Sequence, residues 1–336
     1  MYTALGFMSG TSLDGVDAAV VETDGRGHVR PLASAHAPYA PSLRRALGAC
    51  LGQRAAPPAV VQALTAAHLN LFRRLGHRAD VIGFPGQTTH HDPESRTTVQ
   101  IGDAAWLARQ TGCAVIADFR RADVEAGGQG APLIPLYHQA LAAALPKPLA
   151  ILNLGGVGNA TSLQADALDA WDTGPGGALL DDFVAQRTGQ PYDAGGALAA
   201  RGTPDESLLR AWLAHPYFAR PPPKSLDRNT FAHCLADAAR LSTPDGAATL
   251  AAFTARAARH IPLPGPLYVT GGGRKNAHIL GLLGAQPVEA LGWDGDTLEA
   301  QGLAYLAVRS LLKLPLTLPS TTGAPRPLTG GQKFAP

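Results

Sequence analysis

Apolar positions in this chain fall into short runs and longer segments of helical spacing, and the two kinds alternate. Residues 3–7 (TALGF) are a short apolar run, and residues 16–22 (VDAAVVE) are another with partial alternation. The loop between them ends in Asp14-Gly15, a pair that favours tight turns, so the segment predicts a β-hairpin with a long polar loop. Residues 41–52 and 57–78 have helical spacing, residues 80–84 (DVIGF) read as a short buried strand, 104–111 as a helix and 114–119 (AVIADF) as another strand.

A second round follows. Residues 148–154 (PLAILNL) predict a strand, Gly155-Gly156 a turn, and 159–163 the returning hairpin partner. Residues 176–187, 205–215 and 243–260 are helical in composition or spacing, and 266–270 (PLYVT) is a strand running into Gly271-Gly272-Gly273. Residues 297–312 predict a last helix, and the tail beyond Pro315 is rich in Pro, Thr and Gly. Strands alternating with helices imply an α/β architecture. Each half opens with strand, glycine turn, strand, and this weak internal repeat predicts two lobes with a glycine turn each, facing one another across a cleft. Proline and lysine interrupt the pattern near 144–148, which puts an N-terminal lobe at 1–145 and a C-terminal lobe at 146–336, the last helix and tail being able to pack back on the first lobe.

Composition narrows the picture. A chain of 336 residues is long enough for two domains, and 46% hydrophobic against 16% charged residues argues against disorder. The formal net charge of +2, without a run of five like charges, gives no nucleic-acid footprint. Cys50, Cys113 and Cys234 share no CxxC spacing, so neither a zinc site nor a disulfide framework is indicated, and buried thiols in a reducing cytosol are expected. The N-terminus lacks a basic start followed by an apolar run, and no stretch approaches the roughly 18 apolar residues of a membrane span.

Five segments carry candidate chemistry. In GFMSGTSLDGVDAA (6–19), Gly10 and Gly15 let the backbone approach an anion, and successive N–H groups in such turns form an anion nest. Ser9, Thr11 and Ser12 add hydroxyls, while Asp14 and Asp17 could hold a hydrated Mg²⁺ or a phosphate-bound water. The segment is neither a Walker A loop nor GxGxxG, and a polar surface hairpin is the alternative. NLGGVGNAT (153–161) sets Gly155 and Gly156 directly after a buried strand, a second phosphate loop or a plain turn. In WDTGPGGALLDD (171–182) a constrained turn precedes a helix, and a carboxylate in a first helical turn faces the positive dipole end, which favours the ionised form that a general base needs. Capping and solvation are the alternative for Asp181 and Asp182. Gly271, Gly272 and Gly273 would let an adenine ring lie against the backbone, with Asn276 as a ligand or a helix cap. Arg120, after the strand of DFRRADVEAGGQGAPLIP (118–135), suits an anion or a sugar, or else a solvated turn.

Together these segments resemble the anhydro-N-acetylmuramic acid kinase family of the sugar kinase, Hsp70 and actin superfamily. The matching stretches, in order, are MSGTSLDGVD (8–17), GQTTHH (86–91), QIGD (100–103), ADFRRADVEAGGQGAPLIP (117–135), NLGGVGNAT (153–161), DTGPGGALLD (172–181), PPKSLDR (222–228), GGGRKN (271–276) and GDTLEAQGLAYLAVR (295–309). The resemblance implies a two-lobed actin-like ATPase fold, each lobe a mixed sheet flanked by helices. It also implies a kinase that converts 1,6-anhydro-N-acetylmuramic acid, ATP and water into N-acetylmuramic acid 6-phosphate and ADP, as a cytoplasmic homodimer that recycles peptidoglycan. ATP enters as co-substrate with Mg²⁺, whose ligands stay unassigned. The resemblance puts the ATP phosphates on Gly10, Thr11, Ser12, Leu13, Asp14, Gly15, Val16 and Asp17 and the catalytic base on Asp181, and pairing with that first hairpin makes Gly155 and Gly156 a candidate second phosphate loop. On the sugar side it implies Gln87, Thr88, Arg120, Asp172, Gly174 and Glu299. Three departures from its pattern stand out: Pro85 where a His is expected, Gly177 where an Asn is expected, and Gly302-Leu303 where a small residue and an aromatic one are expected. His90 or His91 could stand in for the missing imidazole, an exposed loop being the other reading. The competing functions are a kinase for another hexose or hexosamine, and a non-catalytic nucleotide-dependent binding protein.

Overall fold

The computed structural model describes residues 1–10 and 12–336, so Thr11 lies outside the described residues. The strands are β1 (Tyr2–Met8), β2 (Gly15–Thr23), β3 (Val29–Pro38), β4 (Val81–Gly83), β5 (Gln87–Asp92), β6 (Thr97–Ile101), β7 (Ala114–Ala117), β8 (Leu149–Leu154), β9 (Val157–Leu163), β10 (Leu168–Pro175), β11 (Leu267–Thr270), β12 (Gln286–Pro287) and β13 (Gln332–Phe334). The chain divides into two compact units, residues 1–145 with 297–336, and residues 146–296. The segment 297–336 therefore belongs with the first unit.

The first unit is built on a six-stranded mixed sheet of order β13-β7-β4-β1-β2-β3. β1, β2 and β3 form an antiparallel meander, β4 and β7 run parallel to β1, and β13 closes the far edge antiparallel to β7. Alternation along β1 sends Leu5 and Phe7 into a core with Leu64, Leu69 and Leu107 of the helices Pro58–Leu75 and Ala104–Thr111. Gly6, pointing the other way, lies against the helix Leu298–Leu311 so closely that a Cβ there would collide with the Ala300 carbonyl. Gly83 on β4 meets the Leu303 carbonyl in the same way. The sheet is thus buried on both faces, which is why β1 and β4 read as apolar runs.

The second unit repeats the plan with a five-stranded sheet of order β10-β9-β8-β11-β12. Again the first strand of an antiparallel meander, β8, continues into parallel neighbours. Ala150, Leu152 and Leu154 of β8 pack into a core with Leu250, Phe253 and the aromatic group Tyr217, Phe218 and Phe231. The long helix Thr243–Ala258 starts where the Ser242 side chain accepts the Asp245 N–H, with Pro244 within its first turn. Among the described residues no helix is long and apolar enough to cross a membrane.

Three expectations change. The stretch around Asp172-Thr173-Gly174-Pro175 is the end of β10, with a register shift between Asp172 and Gly174, rather than a free turn. β3 and the β5–β6 hairpin have no counterpart in the apolar pattern: β3 is an edge strand carrying Pro31 and Pro38, and β5 (QTTHHD) is polar throughout. His90 and His91 consequently stand on a strand, half-buried, and not in an exposed loop.

Gly6→Ala should lower stability by at least about 2 kcal/mol, because the new methyl meets backbone that cannot yield. Gly272→Ala, where a Cβ meets nothing within 4 Å, should change it by about 0.5 kcal/mol or less. Urea denaturation of the two variants beside the parent measures both.

Candidate active site

In the first unit the β1–β2 hairpin presents the loop 9–14. Leu13 adopts φ 55, a left-handed conformation that few side chains tolerate, and its side chain is 6% exposed in the sheet's core. Burial of Leu13 and Val16 leaves only their backbone for a ligand. Leu13 N–H donates to Gly10 O at 3.2 Å, and Ser12 Oγ donates to Asp14 Oδ1 at 2.8 Å, so the loop is a closed turn with Ser12 and Asp14 exposed. Gly15 is a packing glycine, since a Cβ would strike the Ala37 carbonyl of β3. Asp17 pairs with His36 Nδ1 at 2.8 Å.

The loop is braced from beneath. Ser9 Oγ meets Tyr39 OH at 2.6 Å and donates to Gln87 Oε1, while Gln87 Nε2 donates to Gly10 O at 3.4 Å. Gln87 is fully buried, so its amide serves the loop. Ser9, which the sequence offers as a hydroxyl donor to phosphate, has its hydroxyl engaged by Tyr39 and Gln87, and nothing local in the sequence announces Tyr39, because the contacts span 30 and 78 residues.

In the second unit the β8–β9 turn, Gly155-Gly156, carries the end of β10. Gly176 N–H donates to Gly156 O at 3.0 Å and Gly177 N–H to Gly155 O at 2.7 Å. A side chain at Gly176 would strike the Gly155 carbonyl, so only glycine permits this stacking. The helix Ala178–Thr188 starts from it, with Asp181 in its first turn. Burial pushes the Asp181 carboxyl up to about 6; Asp182 and Asp193 add to the rise and Arg228 opposes it. The dipole at a helix start is worth about 1 kcal/mol, whereas a rise from 3.8 to about 6 corresponds to about 2–3 kcal/mol against ionisation. Desolvation therefore wins over the dipole, contrary to the expectation from the sequence. The result still suits a general base, which works best with a pKa near the working pH.

The remaining candidates fall in several places. Asn276 caps the helix Ala277–Leu283 by accepting Ile279 N–H at 3.0 Å. Gly271 (φ 75) and Gly273 are forced by the nearness of Asn153 and Leu154, whereas Gly272 is open. Gly174 is required by Ala257, 2.8 Å from where a Cβ would stand. Asp172 is 7% exposed, and its Oδ2 accepts Leu226 N–H at 2.8 Å. Thr88 Oγ1 accepts from Gln100 Nε2 at 3.3 Å, and Arg120 donates to Gly130 O at 2.6 Å. His91 bonds Thr98 Oγ1 and Gln129 O at 3.0 Å each, and burial beside Arg120 lowers its pKa to about 4. Glu299 is half-buried in the first turn of its helix. The structure thus brings Gln87 to the first loop and Asp181 to the second, and gives Asp172, Gly174, Gly271 and Asn276 roles in holding the backbone. Among the described residues no three His, Cys, Asp or Glu side chains cluster as a metal cage.

An aspartate whose carboxyl is held up by burial stands beside a glycine turn, in a chain that twice repeats strand, glycine turn, strand, an arrangement compatible with an enzyme of the group-transfer kind. A sequence profile described as anhydro-N-acetylmuramic acid kinase matches residues 2–336. Proteins of that name from Rhizorhabdus wittichii (49% identical, covering 99% of this chain and 99% of that one), Acidiphilium cryptum (52%, 99% and 98%) and Rhodospirillum rubrum (51%, 98% and 93%) are similar along their length. The chain belongs to the anhydro-N-acetylmuramic acid kinase family.

With Asp181 as an essential base, log kcat/KM should rise with unit slope up to about pH 6 and then level off. A profile flat down to pH 4.5 contradicts that role. Stability gives a second readout with a definite sign. The folded carboxyl holds its proton to a higher pH than the unfolded one, so its contribution is fully present below about pH 4 and lost as pH rises through 6. Asp181→Asn should therefore raise Tm relative to the parent at pH 7.5, and the difference should shrink towards pH 4.

Proposed function

We propose that the chain uses ATP and water to open 1,6-anhydro-N-acetylmuramic acid and phosphorylate it, giving N-acetylmuramic acid 6-phosphate and ADP. The observation that carries this reading is Asp181, a single carboxylate with a raised pKa at the start of a helix laid on a glycine turn. Family membership supplies the substrate class. A carboxylate so placed takes a proton from water as the water oxygen attacks C1. The C1–O6 bond breaks, and O6 bonds to the γ-phosphorus as the bridging P–O bond to ADP breaks. Capture of O6 by the phosphoryl group does the work that a second carboxyl does in an inverting glycosidase, so one carboxylate suffices.

The phosphates are assigned to backbone N–H groups of the loop 10–17 and of Gly155-Gly156, which stabilise charge on the transferring group. Leu13 and Val16 contribute backbone only. Mg²⁺ commonly binds through phosphates with one or two carboxylates, and exposed Asp14 suits that role better than Asp17, which is paired with His36. The ion would neutralise charge on the β- and γ-oxygens. Gly271, Gly272 and Gly273 are assigned to the adenine side, with Gly272 offering the open surface. Thr88, Arg120 and Glu299 are assigned to the sugar. We further infer two lobes that carry these halves of the site, and a homodimer in the cytoplasm that serves peptidoglycan recycling; family membership supports both.

ADP release measured with the anhydro sugar beside free N-acetylmuramic acid, glucosamine and glucose tests the reading. Turnover with the anhydro sugar is expected, and release only with a free hexose would replace it by an ordinary hexose kinase. Asp181→Asn should lower kcat by about 10²–10⁴-fold with ATP binding retained. Near-normal turnover removes Asp181 from the mechanism.

A further inference from the structure

In the stretch PPKSLDR (222–228), Arg228 and Leu226 already bear on the site through Asp181 and Asp172, but Lys224 has no place in the chemistry above. Lys224 is 2% exposed. Its Nζ donates to Tyr217 O at 3.0 Å and lies 4.4 Å from the centre of the Tyr217 ring. A carbonyl and a ring face are poor recompense for removing an ammonium from water, and an apolar side chain of similar length would often serve stability as well.

What the ammonium secures is the end of β10. Asp172 N–H donates to Lys224 O at 2.9 Å, Tyr217 OH donates to Asp172 O at 2.6 Å, and Leu226 N–H donates to Asp172 Oδ2 at 2.8 Å. The backbone N–H, the carbonyl and one carboxylate oxygen of Asp172 are all held by the segment 217–226. Two residues on, Gly174 lies against Phe218, whose ring would be 3.3 Å from a Cβ there. Thr254 Oγ1 holds Gly176 O at 2.8 Å, and Gly155-Gly156 hold Gly176 and Gly177. The turn that aims Asp181 is thus gripped by its own sheet and by a segment whose two ends, Tyr217 and Lys224, are joined by the ammonium.

We propose that Lys224 is a positioning residue for the phosphotransfer reaction: its buried ammonium locks the segment 217–226 onto Asp172 and thereby fixes the turn 174–177 that carries Asp181. The proposal rests on the reading of Asp181 as the base. Burial, with Arg220 next in importance, lowers the Lys224 pKa to about 8. The charged and titratable groups around it are Arg220 on its own segment, the Tyr217 phenol, held well above its usual range by burial, and the Asp172 carboxylate on β10. Loss of the proton near pH 8 removes the attraction to the ring and loosens the lock.

The test is kcat and KM for ATP and anhydro sugar from pH 5 to 10, for the parent, Lys224→Arg, Lys224→Met, Tyr217→Phe and Asp181→Asn. The parent kcat should fall about fivefold or more above pH 8, with KM for ATP unchanged, as the desolvated cation–ring contact is lost. Lys224→Arg, charged throughout, should abolish that fall; Lys224→Met should have a low, pH-independent kcat above pH 7 and a normal KM for ATP. If either lysine variant fails to fold by circular dichroism, the parent profile and Tyr217→Phe decide: the latter loses only the bond to Asp172 O and should lower kcat while keeping the fall near pH 8. A parent kcat flat to pH 10, a fall that persists unchanged in Lys224→Arg, or full kcat in Lys224→Met or Tyr217→Phe overturns the proposal. Those results beside an inactive Asp181→Asn leave the base assignment standing, whereas an active Asp181→Asn removes the base itself.

Discussion

Two backbone hydrogen bonds decide where the helix that carries Asp181 begins. Gly176 and Gly177 donate to the carbonyls of Gly156 and Gly155, and glycine is the one residue that allows Gly176 so close. The helix Ala178–Thr188 begins from that contact, so its first turn is set by the β8–β9 hairpin and not by side chains of its own; its N-cap, Gly177, has no capping side chain. Asp181 lies in that first turn, and the loss of water around its carboxyl outweighs the helix dipole. Fold and reactivity are one constraint here: a looser turn would let the carboxylate return to solvent and to an ordinary acidity.

The first unit solves a related problem differently. Its loop 9–14 is held by a left-handed Leu13 whose side chain is anchored in the core, and by Ser9, Tyr39 and Gln87 below. A conformation that costs about 1–2 kcal/mol for a non-glycine residue persists because burial of the leucine offsets it. Two glycines singled out in the sequence, Gly302 and Gly177, also have physical readings. Gly302 lies where a Cβ would crowd Ile134 to 2.5 Å, so the small residue is dictated by packing. Gly177 leaves the space beside Asp181 bare, a Cβ there lying 3.5 Å from Asp181 Oδ2. Nothing in the structure explains Pro85.

Much of this was legible in the sequence. The internal repeat surfaces as two sheets with the same plan, a meander whose first strand continues into parallel neighbours. The hairpin loops and the long helices could be read because apolar runs, glycine pairs and helix starts are local signals. Polar strands were not: β5 and β6 hold their place by backbone pairing and by His–Thr contacts, which leave no apolar period. The duty of Asp172 was hidden because its partners lie 45 and 54 residues away. The sign of the Asp181 shift was misjudged for the same reason, since burial depends on the whole sheet and the dipole only on the helix.

The central claim is that the fold holds the pKa of one carboxyl, Asp181, well above that of an exposed aspartate. A ¹³C NMR titration of the aspartate carboxyl carbons, with the Asp181 signal assigned by its absence from Asp181→Asn, measures this directly. The account predicts a midpoint close to pH 6. A midpoint below about pH 4, that of an unperturbed aspartate, would contradict it.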